Sequence, residues 1–385
     1  MGTRDNKYLR FNVVVFLLLL FFTTEAYFKI VLFSNGESTW LLQVTKGIVL
    51  ISLSVCVLIK QPNQLWLLGV LLISFLIGQL SLVNGISKEA VITFTKLIFP
   101  IVLLLFFNSY TQSVKQNDVT FLVFEYIMLF NAFLIGIGIL FQIKFVHTYL
   151  GARFGFNGLF VSSATGSYVY CITLIYLLAK YKRAIFKRLP NLVIIASMFC
   201  LGTKVSYLFL AVFFAIYLWQ FTTINKKLIG SLFVVLGVFI LYVFFFKFGI
   251  FNEIRQQDGL ISSLMSYRDE LLLERTVPYI LENWSFLNYL FGGVSDLSTK
   301  SQIEFIDVFY FFGVIGGFLY YFIFFRIFLI FKAHIYVAIL LSALFIIVLL
   351  TGNFFGYPSI AIYLVILREY LEQNEQNKHP QYINS

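Results

Sequence analysis

The sequence predicts an all-α, polytopic integral membrane protein of about 12 transmembrane helices, with 11 as the alternative count. Three observations predict it. Apolar residues make up 60% of the 385 residues and charged residues only 12%. Soluble domains lie nearer half apolar and a quarter charged, and disordered chains need low hydrophobicity with high charge. The apolar residues also fall in runs. A span takes about 20 residues, so about 12 spans use roughly 240 and leave roughly 145 for loops. Finally, the net charge of +10 fits the excess of Lys and Arg that membrane proteins keep in cytoplasmic loops. That removes the nucleic-acid reading of a basic chain. The 48 phenylalanines read as lipid-facing and packing bulk.

The runs follow in order. The first, 11–33, comes after Arg4, Lys7 and Arg10. It looks like a signal peptide, but the only small-residue cleavage pattern is Thr24-Glu25-Ala26, so it reads as an uncleaved first span. Runs 41–59, 64–83, 90–108 and 119–141 are each of spanning length. Run 164–179 follows a glycine-rich loop, and run 190–202 is short. Only Gly202-Thr203-Lys204 separates the latter from run 205–221. These two are either separate spans or one interrupted hairpin, which leaves the count at 11 or 12. Runs 228–248, 303–325, 335–351 and 355–368 complete the set. Residues 1–385 thus form a single transmembrane domain with two long loops, 142–163 and 249–302.

Basic residues set the expected orientation. With the N-terminus inside, sixteen of the 28 Lys and Arg fall in cytoplasmic segments, including Lys226, Lys227, Arg326, Lys332, Arg368 and Lys378. Segment 180–188 alone carries Lys180, Lys182, Arg183, Lys187 and Arg188 with no acid. Both termini are then cytoplasmic and both long loops lie outside. The 249–302 loop has a different character. Nine of the chain's 18 acids lie between Glu253 and Asp307, with Arg255, Arg268, Arg275 and Lys300 among them. Leu271 to Leu273, Tyr279 and Trp284 are too apolar for a flexible linker. A structured, partly helical cap is expected.

Several patterns are candidates for chemistry. Arg268 and Arg275 are seven apart, which on a helix returns them to nearly one face. Paired guanidinium groups bind phosphate or pyrophosphate. Local ion pairing with Asp269, Glu270 and Glu274 is the equal alternative, and Ser266-x-x-Asp269 reads as a capping box. Glu304 and Asp307 share a helix face at the start of a span. Ser301-x-x-Glu304 is also a capping box, so Glu304 either caps or acts. Asp307 lies a turn deeper, where an acid costs a few kcal/mol unless paired or hydrated. Gly313-x-x-x-Gly317, with Gly316 beside it, reads as helix packing. Gly292-Gly293 permits a tight turn or close approach to a ligand.

The other long loop holds Arg153 among Gly151, Gly155 and Gly158, with Gly166 nearby. Lys204 sits at the turn after run 190–202; a snorkelling lysine is its plain reading. His147, His334 and His379 are scattered, and Cys56, Cys171 and Cys200 lie in apolar runs. Neither set gives a metal spacing or a disulfide framework. Walker, dinucleotide, HExxH and GxSxG motifs are absent.

In order, these motifs resemble the O-antigen polymerase and O-antigen ligase family of bacterial surface-polysaccharide assembly, over roughly residues 150–330. Arg153-Phe154-Gly155 with Ser162 to Gly166 resembles the family's outer-loop arginine and following span. Gly202-Thr203-Lys204-Val205-Ser206 is similar to its small-residue turn, with Lys204 where Arg is usual. Ser266-Tyr267-Arg268 and then Phe291-Gly292-Gly293 resemble the large-loop arginine and its glycine turn. Glu304, Asp307 and Gly313 to Gly316 resemble the acidic start of the next span. Ligases of the family carry a histidine after the glycine turn. Val294 to Ile303 has none, which favours the polymerase branch.

The resemblance implies a glycosyltransferase of the bacterial cytoplasmic (inner) membrane that needs neither metal nor cofactor. It would polymerise undecaprenyl-pyrophosphate-linked oligosaccharide repeat units at the outer face, for O-antigen (lipopolysaccharide), capsule or exopolysaccharide. Arg268 and Arg275, helped by Arg153 or Lys204, would hold the donor pyrophosphate. Asp307 or Glu304 would take the proton of the attacking hydroxyl. Gly292 and Gly293 would approach the substrate. A flippase and a chain-length regulator of the same pathway are the implied partners. A ligase, or a lipid-linked oligosaccharide flippase, is the competing reading.

Overall fold

A computed structural model describes residues 12–36, 40–83, 85–110, 114–149, 151, 153–222, 242, 246, 247 and 250–376. Arg4, Lys7, Arg10, Lys226, Lys227, Lys378, His379 and nearly all of run 228–248 lie outside the described residues. The helices are α1 (Val13–Asn35), α2 (Leu41–Lys60), α3 (Leu65–Leu80), α4 (Lys88–Ser109) and α5 (Val114–Phe141). After a long loop come α6 (Ser163–Tyr181), α7 (Leu189–Phe199) and α8 (Lys204–Phe221). Then follow α9 (Ile250–Met265), α10 (Arg268–Leu271), α11 (Val277–Asn283) and α12 (Phe286–Phe291). The chain closes with α13 (Glu304–Phe328), α14 (Ile335–Thr351) and α15 (Pro358–Gln376). No strand occurs among the described residues; His147 and Phe156 form one isolated bridge.

Seven of these helices, α1 to α5, α8 and α13, are long and apolar enough to cross a membrane. The chain is a polytopic membrane protein. The remaining apolar runs fall short for separate reasons. Helix α7 has 11 residues, about 16 Å at 1.5 Å per residue, against a hydrocarbon core of about 30 Å. Helix α14 has 17 residues. Helix α6 carries Ser163, Thr165, Ser167 and Thr173, yet Thr165 to Ala179 are all buried. Surrounded by protein, it needs no lipid-facing side. Helix α15 is likewise buried from Ser359 to Arg368 and contacts α1, α4, α5 and α6. Helices α4, α6 and α15 therefore form the centre of the bundle.

Local chemistry fixes the helix starts. Asn12, Ser87, Ser162 and Thr203 each accept a backbone N–H of the first turn with their side chains, as capping residues do. The two boxes expected from sequence do not form. The N-cap of α10 is Tyr267, and Asp269 instead accepts the Ser262 hydroxyl at 2.7 Å. The N-cap of α13 is Ile303, and Ser301 is spent on Asp307.

Segment 250–302 is structured and mainly helical. Helix α9 breaks at Gly259 (φ 93°). Ser266 and Tyr267 both adopt positive φ, 56° and 64°, and turn the chain into α10. A π turn, Leu272–Thr276, separates α10 from α11.

Arg368, expected in a cytoplasmic segment, is fully buried inside α15. Its guanidinium donates to Asn108 Oδ1 at 2.6 Å and to Leu104 O at 3.3 Å, and it pairs with Glu369 at 3.0 Å. Phenylalanine plays both expected parts. Phe75 stacks on Phe94 and Phe311 in the interior, while Phe16, Phe133 and Phe318 are exposed on the spans.

Candidate functional site

The first turn of α13 brings two carboxylates into the bundle. Glu304 is buried, and its two oxygens accept the backbone amides of Phe355 at 2.9 Å and Phe354 at 3.1 Å. Those amides sit in the bend between α14 and α15, where Gly352 has φ 70° and Asn353 φ 61°. Asp307 is held through Oδ1 by the Ser301 amide at 3.0 Å and the Ser301 hydroxyl at 2.9 Å, and stays half-buried. Glu304 is saturated by backbone donors, whereas Asp307 is oriented from one side.

Arg268 comes to this pair from α10. It is half-buried, and Tyr168, Asp307 and Glu304 are the charged or titratable groups acting on it. Burial pulls the guanidinium pKa down from its ordinary value, and those three groups oppose the shift. Tyr168, from α6, donates to Gly352 O at 2.6 Å and lies 2.7 Å from Thr351 Oγ1. It thereby ties the bend under Glu304 to the central helix.

Lys204 and Arg153 extend the cationic group. Lys204 Nζ donates to the Ser263 carbonyl, to Leu264 O at 3.1 Å and to Ser266 Oγ at 3.0 Å. It clamps the start of α8 to the bend before Arg268, so it does more than snorkel. Arg153 stacks over Tyr149 at 4.1 Å and donates to Gly202 O at 3.4 Å. Arg153 and Arg268 both act electrostatically on Lys204. Arg153 and Arg268 thus neighbour Lys204, and Arg268 is the member of this cationic group that faces the two carboxylates.

A buried polar joint sets the Arg153 loop. Lys29 of α1 is fully buried and donates to Asn157 Oδ1 and to Gly158 O, the latter at 2.6 Å. Asn131 of α5 accepts the Leu159 amide at 2.8 Å and donates to Asn157 O at 3.3 Å. The Phe156 amide donates to Cys200 O at 2.7 Å, joining this loop to the turn before Lys204. The His147 ring lies tilted against Phe156 with centroids 4.4 Å apart, and burial lowers its pKa.

Arg275 is placed apart from Arg268, and Gly292 and Gly293 make the tight turn that was one of their two expected roles. Arg275 is exposed, while Arg268 is half-buried. The intervening π turn breaks the 3.6-residue register on which the shared face depended. Gly292 and Gly293 are consumed by packing. A Cβ at Gly292 would run into Phe311 O and Gly313 N, and one at Gly293 would lie 2.7 Å from Gly78 O. Gly313 has φ 70° and breaks α13 where the Gly292 turn inserts. Asn288 Nδ2 closes the joint by donating to Gly78 O at 2.8 Å and Gly292 O at 2.7 Å.

No protein-family model matches the chain, and neither does any curated protein or solved structure. The functional reading therefore rests on the residues and their arrangement.

Sequence reasoning missed Tyr168, Lys300 and the charges inside the spans. Lys300 lies near Asp307, Glu304 and Lys96; burial lowers its pKa, and the two acids oppose that. Glu25 of α1 is buried, accepts the Ser359 hydroxyl and pairs with Lys46 of α2 at 3.6 Å. Charges within apolar runs were the available signal, because each is costly in a bilayer and seldom idle.

Proposed function

We propose that the chain is a polymerase of undecaprenyl-pyrophosphate-linked oligosaccharide repeat units in bacterial surface-polysaccharide synthesis. It lies in the cytoplasmic membrane with about 12 spans. Both termini are cytoplasmic, and segments 142–163 and 249–302 are outside. The observation that supports the reading is that Arg268 faces Asp307 and Glu304 and also acts, with Arg153, on Lys204.

The chemistry follows from that arrangement. The cations hold the donor pyrophosphate and stabilise the charge that develops on it as it leaves. Asp307 accepts the proton of the acceptor sugar hydroxyl. The hydroxyl oxygen forms the new bond to the donor anomeric carbon. The bond from that carbon to the pyrophosphate oxygen breaks, and polyprenyl pyrophosphate departs with the bonding pair. Three cations can supply the electrostatic stabilisation that a metal ion supplies elsewhere, so the transfer is metal-independent. Glu304 acts as a positioning residue that holds the bend beside the site.

The test is a gene deletion followed by localisation of the lipid-linked units. Single units accumulating in the outer leaflet support the polymerase. Units held in the inner leaflet identify a flippase, and long carrier-linked polymer identifies a ligase. Purified protein should also elongate lipid-linked units in the presence of a chelator; activity restored only by a divalent cation contradicts metal independence.

A further inference from the structure

We infer that the basic turn between α6 and α7 binds an anionic phospholipid, with the lipid phosphate at the turn and an acyl chain along α7. The site stands whether or not the chain is a polymerase, because it needs only that the bundle lie in a membrane.

The turn is held from two helices. It is a 3₁₀ segment, Lys182–Lys187, with Ile185 fully buried at its middle. Asn191 of α7 donates to Ile185 O at 3.2 Å, and the Tyr217 hydroxyl of α8 donates to Arg183 O at 3.4 Å. Phe186 stacks on Phe214 with ring centroids 5.8 Å apart and meets Tyr217 edge-on at 4.5 Å. So anchored, the backbone presents Lys182, Arg183, Lys187 and Arg188 at the surface, and all four are exposed. None of them forms an ion pair among the described residues. Arg188 lies over the Tyr181 ring at 4.3 Å. Helices α6, α7 and α8 carry no acid. Glu125 of α5 is already met by Lys180 at 2.7 Å and by the hydroxyls of Tyr176 and Tyr181.

The depth of the turn follows from the short helix after it. Helix α7 has 11 residues, against 19 in α6 and 18 in α8. The turn is drawn inward to meet it. Tyr217, which holds Arg183 O, stands four residues before the end of α8 at Phe221, about 6 Å at 1.5 Å per residue. That places the cations beside the headgroup layer. Cations at that depth are costly unless paired or hydrated, and headgroup phosphate is the anion at hand. Leu189, Leu192, Ala196 and Phe199 are all exposed on α7. Their spacing of three, four and three sets them on one helix face, and this apolar stripe begins beside Arg188. A stripe with charge at its foot matches a phospholipid lying along α7. A single lysine at a span end merely snorkels to water. Four cations without an acid select an anionic headgroup over a zwitterionic one, and arginine can give phosphate two parallel N–H bonds.

Native mass spectrometry of the purified full chain with phosphatidylglycerol tests this, with phosphatidylcholine and inorganic phosphate as competitors. Wild type should retain phosphatidylglycerol in preference to phosphatidylcholine. Arg183→Gln combined with Lys187→Gln should weaken that binding about thirtyfold. The lipid-free melting temperature of this pair should match wild type, because both side chains are exposed. Should the pair melt lower, Lys187→Gln alone carries the test, with about a fivefold loss expected. Arg183→Lys with Lys187→Arg keeps the charge and should bind as wild type does. Lys88→Gln, exposed at the start of α4, is the control and should bind normally. Equal retention of the two lipids, or undiminished binding in the Gln variants, overturns the site. Displacement by inorganic phosphate at the same concentration makes it a free-phosphate site and overturns the lipid assignment.

Discussion

Glu304 and Phe355 are joined across the bundle by a 2.9 Å hydrogen bond from the backbone amide to the buried carboxylate. Phe354 donates to the other oxygen. This is a structural clamp in the middle of the candidate site, and it divides the labour between two acids three residues apart. Glu304→Ala should leave two buried amides unsatisfied, at about 1–3 kcal/mol each. A lower melting temperature in detergent is the expected outcome; an unchanged one would show that the clamp contributes nothing.

Asp307→Asn should behave differently. Size and the contact to Ser301 are kept, but the proton acceptor is lost. Polymer formation should fall by about 100-fold or more, with melting temperature near wild type. Full activity in this variant moves the base elsewhere.

Arg268 and Arg275 should separate cleanly. Arg268→Ala should abolish long polymer, and Arg268→Lys should restore only part of it because the bidentate fork is gone. Arg275→Ala should give normal chain lengths, since its side chain is exposed. Chain-length analysis on gels decides the matter, and equal losses in both variants would contradict the placement of Arg275.

Gly292→Ala and Gly313→Ala should both damage folding, because each glycine has positive φ and meets backbone atoms of the other's segment. Gly47→Ala, with open space around it, is the control. Membrane-inserted yield and thermal stability are the readouts, and a normal Gly313→Ala protein would refute the backbone joint.

Lys300 gives a pH dependence with a definite sign. Burial lowers its pKa below the ordinary 10.5. Between the lowered folded value and 10.5, the unfolded chain binds more protons, so stability rises with pH across that window. Below it the charged lysine is a fixed cost. Lys300→Met should therefore melt higher than wild type near neutral pH, and the gap should close as pH approaches 10.5. A gap that widens with pH contradicts the assignment.

Much of the fold was legible because burial in lipid leaves long apolar runs. Helices α1 to α5 and α13 lie close to the runs read from sequence. The cationic site was legible in part, through Arg268, Lys204 and Arg153. Arg275 differs from Arg268 in exposure because a π turn shifts the register between them, and the sequence holds no local signal for one. Gly292 and Gly293 make the tight turn that was one of their two expected roles, and the backbone they approach belongs to other helices, one of them broken at Gly313. The capping boxes were defeated by competition, as Ser301 bonds a residue deeper in its own helix. Lys29, Lys46 and Lys96 were hidden inside runs counted only for their apolar length.

The joint between Gly78, Gly292 and Gly313 makes the two ends of segment 250–302 mechanically unequal. At one end, backbone meets backbone with no room for a methyl group, so that end is bolted to the bundle. At the other, Gly259 interrupts α9 with nothing within 4 Å of where a Cβ would stand. A bend there needs no repacking. Any movement of this segment would thus pivot at Gly259 and would have to break the Lys204 contacts to Ser263, Leu264 and Ser266.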